Sequence, residues 1–314
     1  MELLIRVATY IGRILSVISI VYLVIKITQY VDEIPPFQFS VSAVTIVLGT
    51  LVFVILCTGL GFYAWTILLR GGDVRLRYVE GYIIVGASQI QKYLPGNLFH
   101  YVNRVTLGVS RGVPAEAIIV STGVETGIAA IGSLIIALTG FAVFGDIGVA
   151  GLSGLPAFKG SYLSLVSGVL LLVAIAVIVL FARIRHWLVA RLSYLKVRRL
   201  AAAMCLYSVI NIGIGLFITS LLEILWGVHS RFPWYFFSWG FTIAWLCGFL
   251  FPGAPGGIGI REAVMVNLFG PMVGPALALG VAFLLRVITS VSDLITFFLA
   301  RRFQFQEYPK RANQ

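Results

Sequence analysis

The chain is poor in charge. Only 11% of its 314 residues are Asp, Glu, Lys or Arg, against about 25% in a soluble globular domain. Acidic residues are the scarcer sign, twelve against 23 basic ones. Cysteine is nearly absent: Cys57, Cys205 and Cys247 all fall in apolar runs, with no disulfide framework and no metal-ligand spacing. Polar stretches all stay under about 20 residues, too short for a soluble domain of the usual size. No nucleotide-binding motif occurs. No small-residue cleavage site follows the first apolar run, so a cleaved signal peptide is not expected.

What fills the chain is hydrocarbon. Hydrophobic residues make up 60% of it, and its mean hydropathy is +1.01. Several apolar runs exceed the roughly 18 residues that mark a transmembrane helix, so the class is a polytopic integral membrane protein. Full spans are expected near 9–28, 41–69, 115–143, 160–182, 200–225 and 273–299. Two further apolar segments, about 80–110 and 234–271, are interrupted by Lys92-Tyr-Leu-Pro-Gly-Asn97 and Pro252-Gly-Ala-Pro-Gly-Gly257. A helix entering either stretch must stop, because proline lacks a backbone donor and glycine loosens the chain. Gly81 to Ile90 cannot cross about 30 Å of hydrocarbon at about 1.5 Å per residue. Trp234 to Phe251 nearly can, whereas Ile258 to Gly270 cannot.

Basic residues set the orientation. They gather in 70–79, in 183–199 and in the tail after Phe298, while 29–40 has none and carries Asp32 and Glu33. The segments 144–159 and 226–233 hold one each, Lys159 and Arg231. The net charge of +11 is therefore read as a topology signal with lipid headgroup contact, not as a nucleic-acid surface. With the basic loops cytoplasmic, both termini lie inside, and both interrupted segments must be re-entrant hairpins. The expected fold is all-α: six full transmembrane helices plus two re-entrant hairpins in a four-plus-four inverted repeat. Residues 1–143 form the first repeat, with its hairpin at about 80–110, and 160–299 the second, with its hairpin at about 234–271. Residues 300–314 are a cytoplasmic tail. Inverted repeats place a site where two broken elements meet near the midplane.

The residues at the breaks suit an anion. Asn97 can cap a short helix, on which Asn97, His100, Tyr101 and Arg104 share a face. After the second break a helix begins at Gly259 or Ile260, with Arg261 and Glu262 in its first turn. Two helix N-termini, Lys92, Arg104 and Arg261 would then converge on a phosphate. Duller readings stand beside this one. Pro95-Gly96 can be an ordinary interfacial turn, and Pro252 to Gly257, with Pro252, Pro255, Gly256, Gly257 and Gly259 as break residues, a second such turn. Arg104 and Arg111 can be topology charges, Arg261 and Glu262 a buried structural network, and His100 a satisfied polar residue. Charges inside spans default to functional hypotheses. Glu125, in Ser121-Thr-Gly-Val-Glu-Thr, faces the cavity or packs elsewhere; Arg286 and Asp293 share a face and can pair with other elements; Glu223 is near a span end. Trp226, Trp234, Tyr235 and Trp239 read as an outer aromatic belt.

Lys92-Tyr-Leu-Pro-Gly-Asn-Leu-Phe-His-Tyr-Val-Asn-Arg104, then Glu125, then Pro255-Gly-Gly-Ile-Gly-Ile-Arg-Glu262 resemble the signature stretches of the lysylphosphatidylglycerol synthase/flippase membrane region. The resemblance covers nearly the whole chain in length and layout. It implies two re-entrant elements and lipid transport. In bifunctional relatives a cytosolic aminoacyl-transferase follows; the chain ends at Gln314, so that domain is expected to be missing here.

The function these features predict is a lipid translocase of the inner membrane, with no cofactor, no metal and no catalytic step. The ligand is a phosphate-bearing lipid, such as an aminoacyl-phospholipid or a polyprenyl-linked lipid. Lys92, Asn97, His100, Tyr101, Arg104, Glu125, Arg261 and Glu262 would bind it, with Arg286 and Asp293 as secondary candidates. Glu125 and Glu262 would hold a cationic headgroup or orient the arginines. The alternatives are a membrane enzyme using His100, Glu125 and Glu262 as acid/base groups, or a scaffold partner of a lipid or glycan biosynthesis enzyme.

Overall fold

The computed structural model describes residues 21, 24–25, 27–70, 74, 76–93, 99–152, 197–250 and 255–312. Eight α-helices follow one another along these residues: α1 (Val41–Leu69), α2 (Tyr78–Gln89), α3 (Phe99–Val109), α4 (Ala115–Leu152), α5 (Val197–Trp226), α6 (Trp234–Leu250), α7 (Ile260–Val273) and α8 (Pro275–Ala312). Short 3₁₀ turns at Ile90–Tyr93 and Pro255–Gly257 follow α2 and precede α7. The described residues contain four helices long and apolar enough to cross a membrane: Val41–Leu69, Ala115–Phe144, Val197–Trp226 and Pro275–Phe305. The expected spans at 9–28 and 160–182 lie largely or wholly outside the described residues.

The four long helices present apolar residues all round, the pattern of helices facing lipid or a buried core. At 29 residues α1 is about 44 Å long, more than the hydrocarbon thickness of about 30 Å. Ser40 caps its start, accepting the Ala43 N–H at 3.1 Å. Packing between spans uses small residues, as expected where lipid and side chains are equally apolar. The α1–α5 contact stacks Phe53 on Phe217, ring centroids 4.5 Å apart, and a side chain at Gly213 would strike Phe53 at 2.6 Å.

Four helices are shorter. α2 has 12 residues, α3 has 11, α6 has 17 and α7 has 14. At about 1.5 Å per residue, each falls short of about 30 Å. They pair as α2 with α3 and α6 with α7. α2 is buried from Glu80 to Ser88, wedged among α1, α3 and α8. A side chain at Gly86 would meet Ala300 of α8 at 2.9 Å. At the start of α7 the Glu262 carboxylate reaches back and accepts the Gly259 N–H at 2.7 Å.

The ends of the helices sort by charge. Arg199, at the start of α5, donates to the Arg70 carbonyl at 2.8 Å. At the same end Phe303, beside Arg301 and Arg302, meets Tyr82 at 5.8 Å. At the opposite end Gln38 N–H donates to Leu225 at 3.0 Å, and Trp226 Nε1 to the Pro35 carbonyl at 3.0 Å. α2 therefore begins at the basic end, and α6, which follows 226–233, begins at the other.

The aromatic residues divide differently from the expected belt. Tyr235 is exposed, but Trp239 and Trp226 are buried. Trp239 sits in the main core, its Nε1 donating to the Ala137 carbonyl at 2.9 Å. An indole in an apolar region needs one acceptor, and a neighbouring helix backbone supplies it as well as the membrane interface does.

Candidate functional site

The two 3₁₀ turns meet inside the helix bundle. A side chain at Gly256 would come within 3.1 Å of the Tyr93 ring. Gly256 and Gly257 have φ of 58° and 72°, a region that disfavours residues with a Cβ.

Helix α8 ties the two turns together. Arg286 and Asp293 are seven residues apart, two turns on one face. Arg286 Nη1 donates to the Gly256 carbonyl at 3.1 Å, and its Nε lies 3.4 Å from the Glu262 carboxylate. Asp293 serves the first turn: Lys92 Nζ pairs with it at 2.8 Å, and the Tyr93 hydroxyl donates to it at 2.6 Å. Gln89 Nε2 adds a longer contact at 3.4 Å.

A second polar layer lies between α3, α4 and α5. Arg104 of α3 is buried and ion-pairs with Glu125 of α4. The Tyr207 hydroxyl on α5 lies 2.7 Å from Glu125 and 2.9 Å from the Gly61 carbonyl. The Arg104 guanidinium faces the Trp65 ring, 5.3 Å from its centroid, and Trp65 Nε1 donates to Thr122 at 3.1 Å. Three residues past Tyr101, Arg104 projects from the same face of α3, its guanidinium 6.0 Å from that ring.

Between the layers lies a cavity of about 230 Å³, lined in part by Lys92, Tyr93, Arg104, Glu125, Tyr207, Arg261, Arg286 and Asp293. Its electrostatics turn on Arg261. The three carboxylates here each hold a cation: Glu125 holds Arg104, Asp293 holds Lys92 and Glu262 holds Arg286. Arg261 forms no ion pair among the described residues. Its guanidinium lies 5.9 Å from the Trp245 ring centroid, within cation–π range. Its stem runs against α6, where a methyl at Gly248 would stand 2.6 Å from its Cγ. The buried Arg104 Nε, Arg261 Nε and Arg286 Nη2 find no hydrogen-bond acceptor among the described residues, a costly condition for a buried donor.

The sequence of the chain matches the lysylphosphatidylglycerol synthase TM region over residues 8–295.

The chain belongs to that family.

It is a multi-pass membrane protein of a family tied by its name to lipid metabolism. No curated protein and no solved structure matches the chain.

Of the residues singled out from sequence, Lys92, Arg104, Glu125, Arg261, Arg286 and Asp293 line this one cavity. Glu262 stands behind it, paired to Arg286 and not to the adjacent Arg261. His100 and Tyr101 stack on each other at 3.8 Å, outside the lining. Pro255, Gly256, Gly257 and Gly259 form the second break. Asn97, Pro95, Gly96 and Pro252 lie outside the described residues. Glu223 pairs with His229 at 3.1 Å, both well exposed, away from the site. No cluster of three or more His, Cys, Asp or Glu able to hold a metal occurs among the described residues.

Sequence reasoning missed Tyr93, Tyr207 and Trp245. Tyr207 and Trp245 are aromatic residues inside apolar runs, where hydropathy alone does not separate them from core, and Tyr93 sits in the first break beside Lys92. The signal was a polar tip or a π face among aliphatic residues, which needs a partner when buried.

Proposed function

We propose that this protein is a lipid translocase of the cell inner membrane that moves a phosphate-bearing lipid. Candidate lipids are aminoacyl-phospholipids and polyprenyl-linked lipids. The helix pairs α2–α3 and α6–α7 act as re-entrant hairpins from opposite faces, within a four-plus-four inverted repeat whose termini are cytoplasmic. The sorting of basic residues to one end of the bundle supports that arrangement.

One observation carries the reading: a cavity where two helix breaks meet holds an arginine with no carboxylate partner among the described residues. A guanidinium in that state favours an anionic ligand with planar oxygens, and phosphate fits its donor geometry. The headgroup enters the cavity while its acyl or polyprenyl tails stay in lipid. Glu125, Glu262 and Asp293 hold the other cations in place, so the cavity is preorganised around Arg261. Transport runs downhill or on a gradient, since no nucleotide-binding motif is present.

The test is headgroup accessibility of a fluorescent phospholipid in proteoliposomes of pure protein. Transfer between leaflets above the protein-free rate, lost in Arg261→Ala, is expected. No transfer by the folded protein sinks the proposal. Product formation from a lipid-linked donor would favour an enzyme instead, and stable co-purification with a biosynthetic enzyme a scaffold.

A further inference from the structure

The cavity is selective by charge count. Four cations stand at it, Lys92, Arg104, Arg261 and Arg286, and three carboxylates answer them, Glu125, Glu262 and Asp293. Among the described residues, one positive charge is left over.

Each of the three carboxylates is also already engaged by a cation and a second donor. Asp293 receives Lys92 Nζ, the Tyr93 hydroxyl and, at longer range, Gln89. Glu125 receives Arg104 and Tyr207. Glu262 receives the Gly259 N–H on one oxygen and Arg286 on the other. A headgroup ammonium would compete with the paired cation for the same carboxylate. A phosphodiester would displace none: it meets the Arg261 guanidinium, which forms no ion pair among the described residues.

We propose that, within the phosphate-bearing lipids of that reading, the site selects those whose headgroup bears one net negative charge and no amine, with the phosphodiester on Arg261, which sets aminoacyl-phospholipids aside. This rests on reading the cavity as a lipid-headgroup site. A monoanionic headgroup brings the cavity to neutrality. A zwitterionic amine lipid leaves it positive with an ammonium that lacks a carboxylate, and a lysylated lipid adds one more positive charge. Buried charge without a partner is disfavoured in a membrane, so discrimination comes from the mismatch as much as from the match.

The experiment is native mass spectrometry of the full chain released from nanodiscs with equal amounts of phosphatidylglycerol, phosphatidylethanolamine, lysylphosphatidylglycerol and phosphatidylcholine. Retained phosphatidylglycerol is expected to exceed each amine lipid by about tenfold. Arg261→Gln, checked for monodispersity, brings it down to the phosphatidylcholine level. Lys92→Met frees Asp293 and is expected to raise retained phosphatidylethanolamine, a gain that misfolding does not produce. A separate arm adds glycerophosphoglycerol, the same headgroup without tails, which is expected to bind more weakly. Equal retention of an amine lipid, Arg261→Gln holding phosphatidylglycerol like the wild type, no gain in Lys92→Met, or equal binding of the tail-free headgroup overturns the proposal. A fluorescent phosphatidylglycerol flip assay on the same protein separates the two readings. Selective retention without flipping sinks only the translocase, and flipping without selectivity sinks only the charge-count selection.

Discussion

Arg286 and Glu262 pair at 3.4 Å, linking the last long helix to the start of α7, while Arg261, next to Glu262 in sequence, pairs with no carboxylate among the described residues. Two arginines at one break are thereby divided in role. Arg286 is structural, holding the turn through Glu262 and the Gly256 carbonyl. On the proposed reading Arg261 is the one that meets the ligand.

The structural role predicts a stability loss. Glu262→Ala removes the partner of a largely buried guanidinium and the cap on the Gly259 N–H. Breaking a buried pair costs about 3–5 kcal/mol. Unfolding of the pure protein in detergent micelles should shift accordingly, with Glu262→Gln less affected because it keeps an acceptor oxygen.

Lys92 and Asp293 should couple energetically. Lys92→Met and Asp293→Asn each strand one charge, whereas the double variant strands none. A double-mutant cycle on stability is expected to give an interaction of about 0.5–3 kcal/mol, the double variant being more stable than additivity allows. Additive losses would show that the 2.8 Å contact contributes nothing.

Arg261→Lys should separate function from stability. Lysine keeps the charge but loses the planar fork and its seat over Trp245. Lipid transfer is expected to fall about tenfold, or ~1.4 kcal/mol of barrier, with little change in the unfolding midpoint, since no ion pair is broken. A rate equal to the wild type would mean that charge alone suffices.

Gly248→Ala tests the seat of that arginine. The new methyl would stand 2.6 Å from Arg261 Cγ. Overpacking costs about 1–3 kcal/mol, which outweighs the ~1 kcal/mol that alanine contributes to a helix. A modest loss of stability together with weaker phosphatidylglycerol retention is expected; unchanged retention would show that the Arg261 stem moves freely.

Much of the site was legible before the structure, for physical reasons. The bounds of α1 follow from a long apolar run and a Ser40 cap, both local signals. The breaks were visible because proline and glycine act on the backbone where they stand. Six candidate residues converge because charges inside an apolar chain must be buried together or not at all. What sequence left open was pairing. Glu262 stands beside Arg261, and nothing local says that its carboxylate turns to Arg286 on another helix. The roles of Tyr207 and Trp245 were hidden for the same reason, since a partner across the bundle leaves no trace in sequence spacing. Trp239 misled because an indole reads alike at an interface and in a core.

The most direct measurement is the rate at which a fluorescent phosphatidylglycerol becomes accessible to a membrane-impermeant quencher in proteoliposomes of wild type and Arg261→Gln, reconstituted at equal density. Fast loss of inner-leaflet signal with the wild type, falling to the protein-free rate with Arg261→Gln, is the expected result. Equal rates for the two proteins, or a wild-type rate no higher than that of empty liposomes, would contradict the account.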